Sequence, residues 1–162
     1  MYKRQLEANL CQGRILMLEP RRLAARAAAE RMAETLGEPA GERVGYRMRG
    51  ATKCGPKTRI EVVTEGILTQ MLQSDPELTG IDAVIFDEFH ERRLSSDLSL
   101  ARVLDLQESI RPDLRVVVMS ATLETGGLKD YLDPCELVEA GGRLFPVEVE
   151  HRGERPVGRR GM

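Results

Sequence analysis

Short apolar runs alternate along the chain with longer segments in which apolar residues recur at helical spacing. Most of the runs are rich in Val, Ile and Leu and are bounded by turn residues, which favours buried strands over helices. They are RILML (14–18), RVGYRM (43–48), RIEVVT (59–64), DAVIF (82–86) and RVVVMS (115–120). Two later strands are predicted at ELVEA (136–140) and FPVEVE (145–150).

Helical segments lie between these strands. The clearest is RRLAARAAAERMAETLG (21–37), whose alanines favour a helix and whose Gly37 suits the position just after a helix end. Further helices are predicted at EGILTQMLQ (65–73) and SSDLSLARVLDLQESI (95–110), with a weaker one at ETGGLKDYL (124–132). This alternation predicts an α/β fold, in which a parallel sheet is covered by helices on both faces.

Composition narrows the class of protein. The 162 residues suit one domain, and a net charge of −2 argues against a general polyanion binder, although local basic patches remain open. Cys11, Cys54 and Cys135 form no C-x-x-C pair, which favours reduced thiols over a disulfide frame or a zinc site. No apolar run reaches membrane-spanning length. We expect a cytoplasmic protein with no membrane partner, with one domain over residues 1–150 and a basic flexible tail over 151–162.

An acid pair, Asp87 and Glu88, follows the apolar run AVIF directly. In an open parallel sheet, ligands collect at the carboxyl ends of the strands. An acid there can hold Mg²⁺, and a second acid can orient or deprotonate a water that attacks a phosphate. The simpler alternative is that the two acids end a strand and cap the next helix.

A histidine and a hydroxyl-bearing turn accompany the acid pair. His90 lies two positions past the acids, within reach of a neighbouring strand end, although a lone histidine is more often an ordinary polar residue. The neighbouring strand end is RVVVMS, and it continues into the SAT turn, formed by Ser120, Ala121 and Thr122. The tripeptide SAT is common and signifies little by itself.

Two further strand ends continue directly into helix starts, where backbone N–H groups and the helix dipole favour anions. Such turns can hold a nucleic-acid strand through its phosphates without reading its sequence. Each turn, taken singly, is equally compatible with an ordinary solvated helix start. They are the PRR turn, formed by Pro20, Arg21 and Arg22, and the TEG turn, formed by Thr64, Glu65 and Gly66.

Six motifs occur in one order at compatible spacings: LEPRRLAA, VGYRMR, TEGIL, DEFHER, SAT and GRLFPVEV. Over residues 14–150 they resemble the first RecA-like domain of DEAH-box ATP-dependent helicases of superfamily 2, most closely the bacterial HrpB type. DEFHER after an apolar strand, with SAT downstream, is the specific part of this signal. The resemblance implies ATP hydrolysis coupled to movement along nucleic acid or to its unwinding, with RNA favoured over DNA.

The resemblance also implies cofactors and residue roles. ATP and Mg²⁺ are the expected cofactors, with Asp87 acting on Mg²⁺ through water and Glu88 positioning the attacking water. His90 and the SAT turn would couple the nucleotide site to strand movement. The PRR turn corresponds to the first nucleic-acid motif of the family, and the TEG turn to the second.

One part of the family pattern is missing from the sequence. These helicases hold the phosphates with G-x-x-x-x-G-K-[ST] between a strand and a helix. No such segment precedes RILMLEPRR, and residues 1–13 look like the end of the helix that should follow it. We therefore expect the chain to lack the phosphate-loop strand, which would leave a gap or an exposed apolar edge beside RVVVMS, and to lack the second RecA-like domain. Hydrolysis by this chain alone should be lost or very weak.

The segment GATKCGPKT (50–58) has nearly the letters of a phosphate loop. It fails because Pro56 removes a backbone donor that a phosphate would need, and because a strand follows it where a helix is required. We interpret it as a connecting loop.

Two rival functions remain open at this point. The chain could be a non-enzymatic nucleic-acid-binding fragment that uses its arginine-bearing helix starts and basic tail. It could also be a different nucleotide-binding α/β protein in which DEFH is coincidental, which six ordered motifs make improbable.

Overall fold

A computed structural model of the chain describes residues 11–121, 126–132 and 134–139. Two compact units divide the chain at Glu124/Thr125, and the sheet and first three helices belong to the first unit. The strands are β1 (Arg14–Leu18), β2 (Val44–Met48), β3 (Ala51–Lys53), β4 (Ile60–Val63), β5 (Ile81–Phe86) and β6 (Arg115–Val118). The helices are α1 (Arg22–Thr35), α2 (Glu65–Ser74), α3 (Leu94–Ser109) and, in the second unit, α4 (Gly126–Tyr131).

The six strands form one sheet in the order β3-β2-β4-β1-β5-β6. Every neighbouring pair is parallel except β2–β3, which is antiparallel. The predicted α/β fold is therefore confirmed, but the sheet is mixed at one edge. The sequence analysis missed β3 because it is a short, largely exposed strand inside the predicted connecting loop. It pairs with β2 because Gly50 adopts a positive φ of 79° and closes the turn between Met48 and Ala51.

Helices cover both faces of the sheet. On one face, α1 buries Ala25, Ala29 and Ala33 against a core that includes Ile15 and Met17 of β1. Alanines at intervals of four residues let the helix approach the sheet closely. Gly37, with a positive φ of 72°, follows the last turn of α1, as predicted.

The opposite face of the sheet carries the alternate residues of the same strands, such as Leu16 of β1 and Phe86 of β5, which are both almost fully buried. The helix α3 contacts β5 and β6, and it also contacts α2. Its buried positions recur at helical spacing and include Leu100, Val103 and Leu106. Both helices were predicted to within one or two residues of their ends.

The outer side of β6 is an edge of the sheet within the described residues. Its valines, Val116 to Val118, are only partly buried, whereas Val84 of β5 is fully buried. The family resemblance places the phosphate-loop strand beside RVVVMS, and the expected absence of that strand stays a prediction.

Predictions for the C-terminal part of the chain had mixed outcomes. The helix α4 confirms the weaker helix predicted within residues 124–132. The strand predicted at residues 136–140 is wrong for residues 136–139, which have no regular structure and are exposed. Residue 140, the strand predicted at 145–150 and the tail at 151–162 lie outside the described residues. No helix among the described residues is long and apolar enough to cross a bilayer.

Candidate active site and nucleic-acid interface

The carboxyl ends of four parallel strands, β1, β4, β5 and β6, meet at one edge of the sheet, and backbone hydrogen bonds continue past the strands. Asp87 N–H donates to the Leu18 carbonyl at 3.1 Å, and Glu19 N–H donates to the Val63 carbonyl at 3.0 Å. Phe89 N–H likewise donates to the Met119 carbonyl at 3.0 Å. These backbone hydrogen bonds therefore connect the turns that follow β4, β1, β5 and β6, from the TEG turn to the SAT turn.

The acid pair lies at the start of a single 3₁₀ turn, Phe89–Glu91. Asp87 is half-buried, and its Oδ1 accepts a hydrogen bond from Glu88 N–H at 2.8 Å. Glu88 is exposed and has a positive φ of 51°, a conformation that costs a non-glycine residue on the order of 1 kcal/mol. Strain of this kind is tolerated where the surrounding contacts fix the backbone, which here sharply changes direction after the strand.

Phe89 anchors this turn to the core. Its side chain is buried and meets Phe86 edge-to-face, with ring centroids 6.3 Å apart. The guanidinium of Arg92 lies 5.7 Å from the centroid of the Phe89 ring, within range of a cation–π contact. The aromatic residue in DEFHER therefore holds in place the turn that carries the candidate site residues.

His90 connects the acid pair to the SAT turn. Its Nε2 lies 3.2 Å from Glu88 Oε2, and its Nδ1 accepts a hydrogen bond from Ala121 N–H at 3.3 Å. An accepting Nδ1 assigns the proton of a neutral imidazole to Nε2, which then donates to Glu88. Ser120 is exposed at the same strand end, and Thr122 lies outside the described residues.

Glu19 is a site residue that the sequence analysis passed over. It ends the apolar run before the PRR turn, is only 4% exposed and has a buried Oε2 with no hydrogen-bond donor among the described residues. Burial, a hydrogen bond with Asp87 and the negative charges of Asp87, Glu88 and Glu91 together raise the pKa of Glu19 to about 8. Only the pairing of β1 with β5 brings this carboxyl beside Asp87, so periodicity alone gave no sign of it.

The PRR turn precedes α1, and no side chain caps that helix start. Arg21 is 64% exposed, and its Nη2 lies 2.8 Å from Oε1 of Glu91, in the DEFHER segment. Arg22 is exposed, and its side chain makes no hydrogen bond or ion pair to any other described residue. The carbonyl of Pro20 accepts a hydrogen bond from Arg93 Nη1 at 3.3 Å.

The TEG turn precedes α2 in the same way, and again no side chain caps the helix start. The carboxylate of Glu65 accepts hydrogen bonds from the hydroxyls of Ser95 and Ser96, in the first turn of α3. Gly66 is exposed, and a side chain there would meet nothing within 4 Å. The turn is thus open at Gly66, whereas the Glu65 carboxylate is already engaged.

A groove of about 720 Å³ runs beside the TEG turn, and the β2–β3 hairpin forms its other wall. Arg47, from that hairpin, pairs with the buried carboxylate of Glu61 at 2.7 Å. Arg49 is exposed and makes no hydrogen bond or ion pair among the described residues. VGYRMR is one of the six motifs, but the sequence does not predict these arginines as site residues, because their nearness to Gly66 depends on how the hairpin folds.

A family model for the DEAD/DEAH box helicase matches residues 2–130 of the chain. The chain belongs to the DEAD/DEAH box helicase family. It is 56% identical over 136 residues to "ATP-dependent RNA helicase HrpB" of Escherichia coli, covering 84% of this chain and 17% of that protein. It is 37% identical over 141 residues to "ATP-dependent RNA helicase HrpA" of the same organism, covering 87% of this chain and 11% of that protein.

Solved structures give the same assignment. The chain matches the crystal structure of the E. coli DExH-box NTPase HrpB with a TM-score of 0.84 and 53% identity. That match covers 91% of this chain and 18% of the HrpB chain. The predicted resemblance to the HrpB type and the predicted RecA-like fold are therefore confirmed, and the chain spans less than a fifth of the length of these relatives.

The side chains present fit a magnesium–nucleotide site in their chemistry. Mg²⁺ is usually held by one or two carboxylates together with waters and substrate phosphates, and the acid pair supplies two. The negative charge that raises the pKa of Glu19 is a charge that a cation would offset. An open groove of about 450 Å³ lies beside Glu19 and the acid pair. Its other wall is the side of α1 that carries Ala24, Ala27 and Ala28. No set of three or more His, Cys, Asp or Glu side chains within the described residues surrounds one metal position.

Proposed function

We propose that the chain is part of an ATP-dependent RNA helicase and carries residues of both the nucleotide site and the nucleic-acid site. The observation that carries the proposal is the connection from Glu88 through His90 to Ala121, across the ends of β5 and β6. It joins residues that belong to separate helicase motifs. The names of the E. coli relatives, both ATP-dependent RNA helicases, support ATP as cofactor and RNA as partner.

In the nucleotide site, Asp87 would hold Mg²⁺ through water, and Glu88 would orient the water that attacks the terminal phosphate. Bound Mg²⁺–ATP supplies the phosphoryl group and neutralises charge as it develops. The Nε2–H of His90 holds the Glu88 carboxylate, so the orientation of Glu88 depends on the position of the SAT turn. Ser120, Ala121 and Thr122 would thereby transmit strand movement to the acid pair.

In the nucleic-acid site, the PRR and TEG turns would contact backbone phosphates. The uncapped N–H groups at the starts of α1 and α2 are suitable donors, and Arg22 and Arg49 are exposed cations beside them. Glu65 would contribute through the backbone of its turn, since its carboxylate is held by Ser95 and Ser96. Contacts of this kind bind RNA without reading its sequence.

The chain alone would not turn over ATP in this proposal. It contains no G-x-x-x-x-G-K-[ST] segment, and the second RecA-like domain of the family is absent from these 162 residues. The acid pair would then have its catalytic geometry but little to hold the triphosphate beside it.

Filter binding of single-stranded RNA at low and moderate salt tests the nucleic-acid part of this proposal. We expect weak binding that falls as salt rises, with a slope of about −0.7 for each phosphate neutralised on a single strand. Replacing Arg22 or Arg49 by Ala should reduce that slope by roughly one phosphate contact.

Lys57→Ala is the matched control for these variants. Lys57 is an exposed cation in the loop that enters β4, so it lies at the amino ends of the strands, away from the proposed site. It should leave the slope unchanged. A binding curve that does not respond to salt, or the absence of binding at low salt, would contradict a phosphate-binding surface.

A further inference from the structure

We infer that Glu91 competes with nucleic-acid phosphate for the guanidinium of Arg21, so that RNA must displace the Glu91 carboxylate to contact the PRR turn. The inference rests on the proposed nucleic-acid site. By this inference, an acid of the DEFHER segment controls whether an arginine of the PRR turn is available to bind phosphate.

Glu91 is held by two arginines at once. Its Oε1 lies 2.8 Å from Arg21 Nη2, and its Oε2 lies 3.2 Å from Arg93 Nε. Arg93 is itself fixed, because its Nη1 donates to the carbonyl of Pro20. The carboxylate therefore lies between the guanidinium groups of Arg21 and Arg93, with one oxygen paired to each.

The exposure of the three side chains shows which of these contacts can be exchanged. Arg21 is 64% exposed, whereas Arg93 is 41% and Glu91 only 24% exposed. A phosphate arriving from solvent therefore reaches Arg21 first. Exposed ion pairs contribute little to stability, so a phosphate, which accepts two parallel hydrogen bonds from a guanidinium, can replace the carboxylate.

Displacement leaves no unpaired buried charge. When Arg21 turns toward a phosphate, Glu91 keeps its contact with Arg93, and Arg93 keeps its contact with Pro20. A carboxylate left without a partner would raise the free energy of the displaced state, and the contact of Glu91 with Arg93 prevents this. The exchange is therefore possible without unfolding the turn.

The exchange also weakens the contact between the PRR turn and the DEFHER segment. Glu91 ends the 3₁₀ turn that carries His90, and His90 is the residue that holds Glu88. Release of Arg21 removes one of the two side-chain links from this turn to the PRR turn. RNA binding would thus loosen the attachment of the turn that positions the acid pair.

A double-mutant cycle on RNA affinity tests the inference. Fluorescence anisotropy with a labelled single-stranded oligouridylate at fixed low salt should show about three- to fivefold tighter binding for Glu91→Gln, the effect of freeing a cation from one exposed ion pair. In an Arg21→Ala background, the same Glu91→Gln change should have almost no effect. Glu91→Asp, which keeps the charge but shortens the side chain, should also tighten binding when Arg21 is present.

Glu30→Gln is the matched control, since Glu30 pairs with Arg26 on the exposed side of α1 at 2.8 Å and carries the same charge. Equal tightening by Glu91→Gln with and without Arg21, or tightening by Glu30→Gln of the same size, would overturn the inference and leave the proposed function standing. Unchanged affinity in Glu91→Gln would also overturn it. Loss of RNA binding in the unaltered chain would instead contradict the proposed function, and the inference with it.

Discussion

ATP turnover by the 162-residue chain is expected to remain at the background rate, with or without single-stranded RNA. Phosphoryl transfer depends on positioned charges around the phosphates, and loss of a single preorganised donor typically costs about 10²- to 10³-fold in rate. The chain lacks the lysine and the consecutive amides of a phosphate loop altogether. In the proposed site, the acid pair would hold Mg²⁺, but it would not by itself align the terminal phosphate with the attacking water.

Release of inorganic phosphate under excess Mg²⁺–ATP is the measurement for this prediction. Glu88→Gln serves as the control, because it removes the proposed water-orienting carboxylate without changing the size of the side chain. Identical signals from the two proteins would mean that any turnover comes from a contaminating ATPase. Turnover that is present in the unaltered chain and lost in Glu88→Gln would contradict the account.

Glu19→Gln is expected to stabilise the chain above neutral pH and to flatten the dependence of its stability on pH. The pKa of Glu19 is raised to about 8 from an ordinary value of 4.5, so between these two values the folded state binds a proton that the unfolded state releases. Stability therefore falls as pH rises through this window and levels off above it. Glutamine removes this penalty, which we place on the order of 2–4 kcal/mol.

Urea unfolding at a series of pH values from mildly acidic to mildly alkaline, in a buffer with chelator, measures this effect. The two proteins should have similar free energies of unfolding at the acidic end and should diverge as pH rises. Glu30→Gln, at an exposed carboxylate on α1, should follow the unaltered chain throughout. If Glu19→Gln instead loses stability with pH as steeply as the unaltered chain, Glu19 is not the titrating group.

The strands that could be predicted from sequence include those with a near-continuous apolar run, and one of these is β6, whose valines are only partly buried. The strands β1, β4 and β5 are buried on both faces, so their continuous apolar runs gave correct positions. The hairpin strand β3 was missed because Thr52 and Lys53 are exposed and its pairing depends on the Gly50 turn. Residues 136–139 place two apolar residues between two acids, yet no strand among the described residues pairs with them, and Leu137 and Val138 are exposed.

The site residues were predictable only where one motif contained them. Asp87, Glu88 and His90 follow one another closely, and their strand end could be located from the apolar run before them. Glu19 and Glu91 acquire their roles through partners far away in sequence, across the β1–β5 pair and between two turns. Contacts of this kind follow from strand order, which periodicity does not determine.

The same limit explains the interpretation of Glu65. The sequence analysis assigned it to a nucleic-acid motif because it follows a strand and starts a helix. In the fold, its carboxylate joins the TEG turn to Ser95 and Ser96 of α3. These serines follow DEFHER closely in the chain, and no local pattern revealed their contact with the second nucleic-acid motif.

The central claim is that the turns at the carboxyl ends of the strands form a single functional surface, and that RNA binds at the two of these turns that begin α1 and α2. Titration of the ¹⁵N-labelled chain with a single-stranded oligouridylate, followed by amide chemical shifts, tests this claim directly. The account predicts the largest shifts at Arg21, Arg22, Gly50 and Gly66. Shifts confined to the opposite edge of the sheet, at Lys57 or Gly80, or no shifts at all at low salt, would contradict it.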